Sequence, residues 1–303
     1  MDSMNRRGFL ECMAWAGTGV VWTAAGGILS SHVLPAEAAD AAAGNFSFVQ
    51  ISDSHVGFKG EANKDATVTL QQSIAKINTL SAPPAFIVHT GDLTHGQKAG
   101  AFDTVAELLK GAKAERVFSI PGEHDVFLDG GKEYFGRFAN GGPGWQSFDY
   151  KGVHLIGLVN VLNFKAGGLG SLGPAQLDWL KKDVEGLSSS TPVVVFAHVP
   201  LWAVYPKWGW VTDDGKQALS SLKRFGSVTV LNGHIHQILQ KVEGNISFHT
   251  ALSTAFPQPA PGVGEGPGPL KVPAEELRKV LGLREVTYVP GKGSLAVVDS
   301  TLA

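Results

Sequence analysis

A single cysteine, Cys12, occurs among 303 residues, and it sits close to the N-terminus. The remainder of the chain therefore forms no disulfide, offers no thiolate to a metal and carries no cysteine nucleophile. Charge is sparse too: charged residues make up 17% of the chain and the net charge is −2. No basic footprint for nucleic acid is present, and there is neither an internal repeat nor a long run of one charge. What the chain does have is apolar material (44% hydrophobic) and many turn formers, Gly 38 and Pro 16. That is enough for one full core in a single α/β domain, but bulk composition does not point to a substrate.

The first residues read as a targeting segment. Asn5-Arg6-Arg7-Gly8-Phe9-Leu10 places twin arginines before a weakly apolar, Gly- and Ala-rich run from Cys12 to Leu29. Ala36-Glu37-Ala38 then offers the small-x-small pattern that signal peptidase cuts. This resembles a twin-arginine export signal, with residues 1–38 removed and 39–303 retained as one domain in the periplasm or medium. The twin-arginine machinery is then a partner, and any membrane contact runs through this segment alone. An uncleaved anchor is the second possibility, because the 18-residue run barely suffices to span a bilayer.

Beyond a linker at Asp40–Asn45, apolar runs alternate with helical spacings. Leu70, Ile74 and Ile77 mark a helix within Asp65–Leu80, and Ala101–Leu109 repeats the pattern more briefly. Pro174 opens a third helix through Leu177 and Leu180, with another around Lys216–Arg224. Hairpins are expected at Gln146–Tyr150 with Val153–Val159 and at Ile238–Val242 with Ile246–Thr250. Six prolines and four glycines exclude regular structure from 257–273, an ordered loop or lid. A short helix (Ala274–Leu281) and an edge strand (Ser294–Asp299) follow. The pattern gives a mostly parallel first half running into antiparallel pairs: an α/β, four-layer αββα sandwich of two mixed sheets flanked by helices.

Five islands of Asp, His and Glu carry the chemistry. They are Asp53-Ser54-His55, Gly91-Asp92, Gly122-Glu123-His124-Asp125, Ala197-His198 and Gly233-His234-Ile235-His236. Each follows an apolar run: Phe46–Ile51, Phe86–Thr90, Val117–Ile120, Val193–Phe196 and Val228–Leu231. Open α/β sheets bind ligands beyond the carboxyl ends of their strands, where all five islands fall. Imidazoles and carboxylates gathered there suit divalent metals, and this many ligands suit two. Two metals make hydroxide at neutral pH and clamp a phosphoryl group.

With these residues, residues 46–250 resemble the calcineurin-like metallophosphoesterases, especially the bacterial branch holding class III cyclic-nucleotide phosphodiesterases. The motif order D-x-H, G-D, G-N-H-D/E, H and G-H-x-H is kept. The resemblance implies that Asp53, His55 and His236 bind a first metal, Asp92 bridges, and Glu123, His198 and His234 complete the second site. It implies iron, manganese or zinc as the two ions, and attack on a phosphoester by a metal-bridging hydroxide. His124 corresponds to the family's non-ligand histidine beside the leaving group, with Asp125 placed to fix its tautomer and raise its basicity. His95 falls at the rim, within reach of substrate. His89, His154 and His249 lie outside the motifs and read as structural.

Glu123 departs from the family, which has Asn there. A carboxylate still ligates, but it donates no hydrogen bond and adds charge beside an anionic substrate. Three readings stay open: a true ligand, a side chain swung aside, or a site that binds without hydrolysis. As a ligand it favours phosphodiesters; a phosphomonoesterase and a non-hydrolytic metal or phosphoryl-ligand binding protein are the alternatives. Between the last two motif groups stand Trp202, Tyr205, Lys207, Trp208 and Trp210. These form either a hydrophobic clamp or a platform for a small-molecule phosphoester, with Trp202, Tyr205 and Trp208 as candidate contacts.

Overall fold

The computed structural model describes residues 20–25, 28–33, 44–164, 170–292 and 295–303. The chain divides into two compact units, Met1–Phe46 and Ser47–Ala303. In the first, β1 (Val20–Ala25) and β2 (Ile28–Val33) pair antiparallel, from Val20 opposite Val33 to Ala25 opposite Ile28. Arg6, Arg7, the Ala36–Ala38 site and much of the run between Cys12 and Leu29 lie outside the described residues. No helix among the described residues is long and apolar enough to cross a membrane.

The second unit alternates strands and helices. It opens with β3 (Phe46–Ile51, whose first residue is the last of the preceding unit), α1 (Ala66–Ile77), β4 (Phe86–His89), α2 (Ala101–Lys110), β5 (Arg116–Ser119) and α3 (Lys132–Phe138). It continues with β6 (Gln146–Tyr150), β7 (Val153–Leu158), α4 (Pro174–Glu185), β8 (Val193–Ala197), α5 (Gly215–Leu222) and β9 (Val228–Asn232). A hairpin of β10 (Gln240–Glu243) and β11 (Ile246–Thr250) precedes α6 (Leu277–Val280), β12 (Gly282–Tyr288) and β13 (Ala296–Thr301). Two mixed sheets result, with strand orders β13-β12-β3-β4-β5 and β10-β11-β9-β8-β7-β6. In the first, β3, β4 and β5 run parallel; in the second, β7, β8, β9 and β11 do, with antiparallel β6 and β10 at the edges.

Side-chain alternation assigns the faces. Val49, Ile51 and Ile87 pack against Leu70, Ile74 and Ile77 of α1 and Phe102 and Val105 of α2. Leu177, Leu180 and Val184 of α4, with Ala218 and Leu222 of α5, cover Val193, Val195, Val228 and Val230 of the second sheet. Between the sheets, the Phe148 ring stacks on Phe118 at 4.0 Å and meets Phe86 edge-on at 5.7 Å. The expected four-layer sandwich is the architecture found. The Asp65 side chain caps α1 by accepting from the Thr67 amide at 3.0 Å, and Pro174 opens α4.

Besides the pair β1 and β2, two elements of the second unit were not expected, α3 and β12. β12 lies between β13 and β3 and carries Arg284, fully buried, which donates to both Asp299 carboxylate oxygens at 2.8 and 3.0 Å. Residues 257–273 hold no helix or strand.

His89, at the end of β4, is fully buried, with Nε2 2.9 Å from Ser54 Oγ. Ser54 gives its own proton to the Leu93 carbonyl at 3.0 Å, so the imidazole N–H is the donor to Ser54. Burial drives the His89 pKa down from 6.5 to about 3. Between those values the unfolded chain binds the proton and the folded one does not, so this residue's contribution to stability falls as the pH drops below 6.5. His89→Gln is expected to destabilise at pH 7.5, with a penalty shrinking by up to about 1.4 kcal/mol per pH unit from 6.5 towards 4. Urea unfolding of both proteins across that range checks it; a pH-independent penalty would refute the assignment.

Candidate metal centre

All five motif islands meet at one edge of the sandwich, and the backbone there is under strain. Asp53, His55, Asp92, His234 and His236 take positive φ values of 54°, 41°, 53°, 71° and 55°. Left-handed conformations at non-glycine residues cost on the order of 1–3 kcal/mol each and persist where surroundings over-determine them. Here the loops after β3 and β4 lock each other: Asp53 N donates to Gly91 O at 3.0 Å, His55 N to Asp92 O at 2.9 Å and Val56 N to Leu93 O at 3.0 Å. Two glycines permit the close approach. A Cβ at Gly122 would strike the Asp92 carboxylate, and one at Gly91 (φ 98°) would strike the His198 ring.

The donors form two adjoining groups. In one, His236 Nε2 lies 3.3 Å from Asp53 Oδ1 and 3.3 Å from His55 Nε2. In the other, the Glu123 carboxylate spans two imidazoles, with Oε2 2.9 Å from His198 Nε2 and Oε1 3.0 Å from His234 Nδ1. Asp92 stands between them, its Oδ2 3.5 Å from His55 Nε2 and 3.6 Å from His198 Nε2. Both groups are buried.

Hydrogen bonds outside the centre aim these donors inward. His198 Nδ1 lies 2.7 Å from the Thr90 carbonyl and His236 Nδ1 lies 2.6 Å from the Phe256 carbonyl. Carbonyls only accept, so each ring carries its proton on Nδ1 and turns the Nε2 lone pair to the centre. Asp53 accepts from the His234 amide at 3.0 Å and from the Ser52 hydroxyl.

Glu123 Oε2, His198 Nε2 and His234 Nδ1 are all buried without a hydrogen-bond partner. Three orphaned polar atoms converging in the interior are costly, and a cation satisfies all of them together. The donor set, hard oxygens with borderline imidazole nitrogens, fits zinc, manganese or iron.

The electrostatics agree. Burial alone would raise the Glu123 pKa, but His234 and His198 hold it well below the usual carboxylate range. Burial and three neighbouring histidines (His236, His124, His95) keep His55 well below 6.5, as a neutral ligand requires. For His198, burial opposes the charged ring, yet Asp92 and Glu123 raise it well above 6.5. The carboxylates that would keep a proton there would hold a metal ion instead, so metal uptake should release protons.

The profile of the calcineurin-like phosphoesterase family matches residues 46–238 of this sequence, and the donors described above all fall within that stretch. The chain belongs to the calcineurin-like phosphoesterase family. It is therefore a metallophosphoesterase, a hydrolase of phosphoesters. A probable cyclic nucleotide phosphodiesterase of Rhodopseudomonas palustris is 26% identical over 231 residues, covering 72% of this chain and 82% of the relative. Its counterpart in Rhodococcus erythropolis is 24% identical over 216 residues, covering 69% and 71%. Among solved structures, a dimetal phosphatase from Danio rerio superposes with a TM-score of 0.62 at 15% identity, covering 85% of this chain and 99% of that one.

For this calcineurin-like phosphoesterase, the structure brings Asp53, His55, Asp92, Glu123, His198, His234 and His236 together. Glu123 points into the centre and has not swung aside. The His124 ring lies 4.9 Å from His55 and stacks on His95 at 4.7 Å and 20°. His95 Nδ1 in turn lies 3.2 Å from His55 Nδ1, so His95 sits at the centre's edge and braces both rings.

Asp125 requires a correction. Its carboxylate accepts from Leu93 N (2.9 Å), Thr94 N (2.8 Å), Thr94 Oγ1 (3.0 Å) and Gly122 N (3.0 Å), and it makes no hydrogen bond to the His124 ring. The tight turn at Glu123–Asp125 sends neighbouring side chains in different directions. Asp125 ties the third loop to the second, and acts on His124 only as a nearby charge. Burial and the Asp92 charge raise its pKa to about 7, against four donors that favour the ionised form.

The aromatic loop divides. A cavity of about 510 Å³ opens beside Glu123, His124 and His234, and Phe127, Phe164 and Trp208 form its apolar wall with Trp210. Trp208 is thus placed as expected, whereas Trp202 packs on Phe248 at 5.0 Å, away from the cavity, as part of the core. Tyr205 supports Trp208 edge-on at 5.2 Å and does not line the cavity. Sequence spacing missed Phe127 and Phe164; the one available signal was the place of Phe127 four residues past Glu123, and the structure leaves it 57% exposed.

Proposed function

We propose that this metallophosphoesterase hydrolyses phosphodiesters in preference to phosphomonoesters, and that Glu123 sets the preference. Asp53, His55, Asp92 and His236 would hold one ion, and Asp92, Glu123, His198 and His234 the other. When bound, the pair supplies a nucleophile at neutral pH and positive charge against the phosphoryl oxygens. His124, at the edge of the centre, donates a proton to the leaving oxygen. The names of the two bacterial relatives are in keeping with a diester substrate.

The observation that carries this reading is the Glu123 carboxylate lying between His198 and His234. With Asp53 and Asp92 it makes three anionic ligands, so two divalent ions leave one net positive charge, where an asparagine would leave two. A doubly charged monoester loses more from that deficit than a singly charged diester. At about 4 Å and an effective dielectric near 20, one unit charge on another is worth about 4 kcal/mol before the cations compensate.

Glu123→Asn is therefore expected to raise the monoester-to-diester ratio of kcat/KM by about ten- to a hundred-fold, or about 1.4–2.8 kcal/mol. Matched 4-nitrophenyl and bis(4-nitrophenyl) phosphates measure it. An unchanged ratio at unchanged metal content refutes the role.

We further propose that the enzyme leaves the cytoplasm by twin-arginine export, folded and carrying its metals. The support is Arg6-Arg7, the run that follows and the Ala36–Ala38 site. Mass spectrometry of the exported form should find Ala39 as the first residue, and an intact N-terminus there would exclude cleavage.

A further inference from the structure

The cavity beside the metal centre has a chemistry of its own. One wall is aromatic, facing Lys207, Gln258 and the Glu265–Gly268 loop, and it continues from the catalytic histidine: Phe127 lies 5.8 Å from the His124 ring and 6.1 Å from Phe164, which lies 6.4 Å from His234. Trp208 faces the same space, and its plane is fixed by edge-on contacts with Trp210 at 5.1 Å and Tyr205 at 5.2 Å. A pre-oriented indole loses little freedom on binding a flat partner.

Two features of the cavity are unexplained by packing. Phe127 keeps 57% of its surface exposed although it adjoins this wall. Gln258, which lines the cavity, spends its amide N–H on the His234 carbonyl at 2.9 Å, yet its Oε1 is buried with no hydrogen-bond partner. Buried acceptors left unpaired are rare and call for a donor. A ligand with a flat apolar face and an N–H on its edge satisfies both.

We infer that this cavity binds a planar aromatic substituent of the phosphoester, with an N–H group on the ring edge directed to Gln258 Oε1. The inference rests on the phosphodiesterase reading above and names the class of ester group that site accepts. Amino-substituted nucleobases and arylamines share this chemistry. The flat face lies against Trp208 and Phe164, Phe127 closes the exposed side, and the phosphoryl group lies at Glu123, His124 and His234.

Phosphinate anions test this without hydrolysis, because they carry the single charge of a diester and no ester bond. Their affinities for the metal-loaded full chain are measured by calorimetry. Diphenylphosphinate is expected to bind at least ten-fold more tightly than dimethylphosphinate, and bis(3-aminophenyl)phosphinate tighter again by about three- to five-fold. In Trp208→Ala the ring preference should fall to within two-fold. Phe127→Leu, a change at an exposed position, should reduce it several-fold with unchanged Tm.

Equal binding of the phenyl and methyl anions overturns the inference, as does a ring preference that survives both substitutions. No gain from the amino groups removes the contact to Gln258. Adenosine competing against the phenyl probe where purine riboside does not identifies the ring as a nucleobase; failure of both assigns it as an aryl group. Diester hydrolysis measured on the same samples separates the two proposals. Turnover without ring preference sinks only this one, and ring preference without turnover sinks the hydrolytic reading.

Discussion

Asp92→Asn is expected to lower kcat/KM for bis(4-nitrophenyl) phosphate by about three decades and to leave roughly one metal ion per chain where the parent holds two. The reason is position. Asp92 Oδ2 is the carboxylate oxygen within 3.6 Å of imidazoles from both donor groups, and Oδ1 is already engaged by the His124 amide at 2.9 Å. The amide of asparagine keeps the shape and the Oδ1 acceptor, so the loop keeps its fold, but the charge shared between the two sites is gone. Loss of one ion removes several kcal/mol of transition-state stabilisation, and about 4 kcal/mol corresponds to three decades. Elemental analysis after size exclusion, paired with the rate, checks it. Two ions per chain with near-parental turnover would show that Asp92 does not bridge, and the proposed division of ligands would have to be redrawn.

Much of this centre was legible because its parts are local. Each motif stands just after a short apolar run of strand length; Phe46–Ile51 and Val193–Ala197 are buried along almost their whole length, whereas Arg116–Ser119 is buried only at its end. Strand ends then converge by topology, which is why seven potential metal donors spread from Asp53 to His236 are adjacent. What escaped the sequence depends on pairs of residues distant in the chain. Gly282–Tyr288 carries Arg284 and Glu285 in its middle, which reads as surface, but Asp299 and the Thr250 carbonyl take up the buried guanidinium. The neighbouring positions of His124 and Asp125 suggested a contact, whereas the carboxylate turns to the amides of Leu93 and Thr94. Four aromatic residues within Trp202–Trp210 look alike as letters, and only packing on Phe248 separates Trp202 from Trp208.

The largest remaining effect should come from His124, and its signature is the leaving group. The ring is held from two sides, stacked on His95 and edge-on to His55, and its backbone is pinned to Asp92. Burial disfavours the imidazolium, yet Asp92, Glu123 and Asp125 carry its pKa above 6.5, which favours the protonated form that an acid needs. A positioned acid contributes about 10²–10⁴-fold when the departing oxygen needs a proton. A nitrophenolate departs without much help, whereas an alkoxide does not. His124→Ala should therefore lower kcat by about 10²–10⁴-fold on a dialkyl phosphodiester and by less than about ten-fold on bis(4-nitrophenyl) phosphate. KM should stay close to parental in both cases, because the lost interaction exists only as the bond breaks. Equal losses on the two substrates would mean that His124 positions the phosphoryl group and does not protonate the product, and the acid would then have to be sought in solvent or at His95.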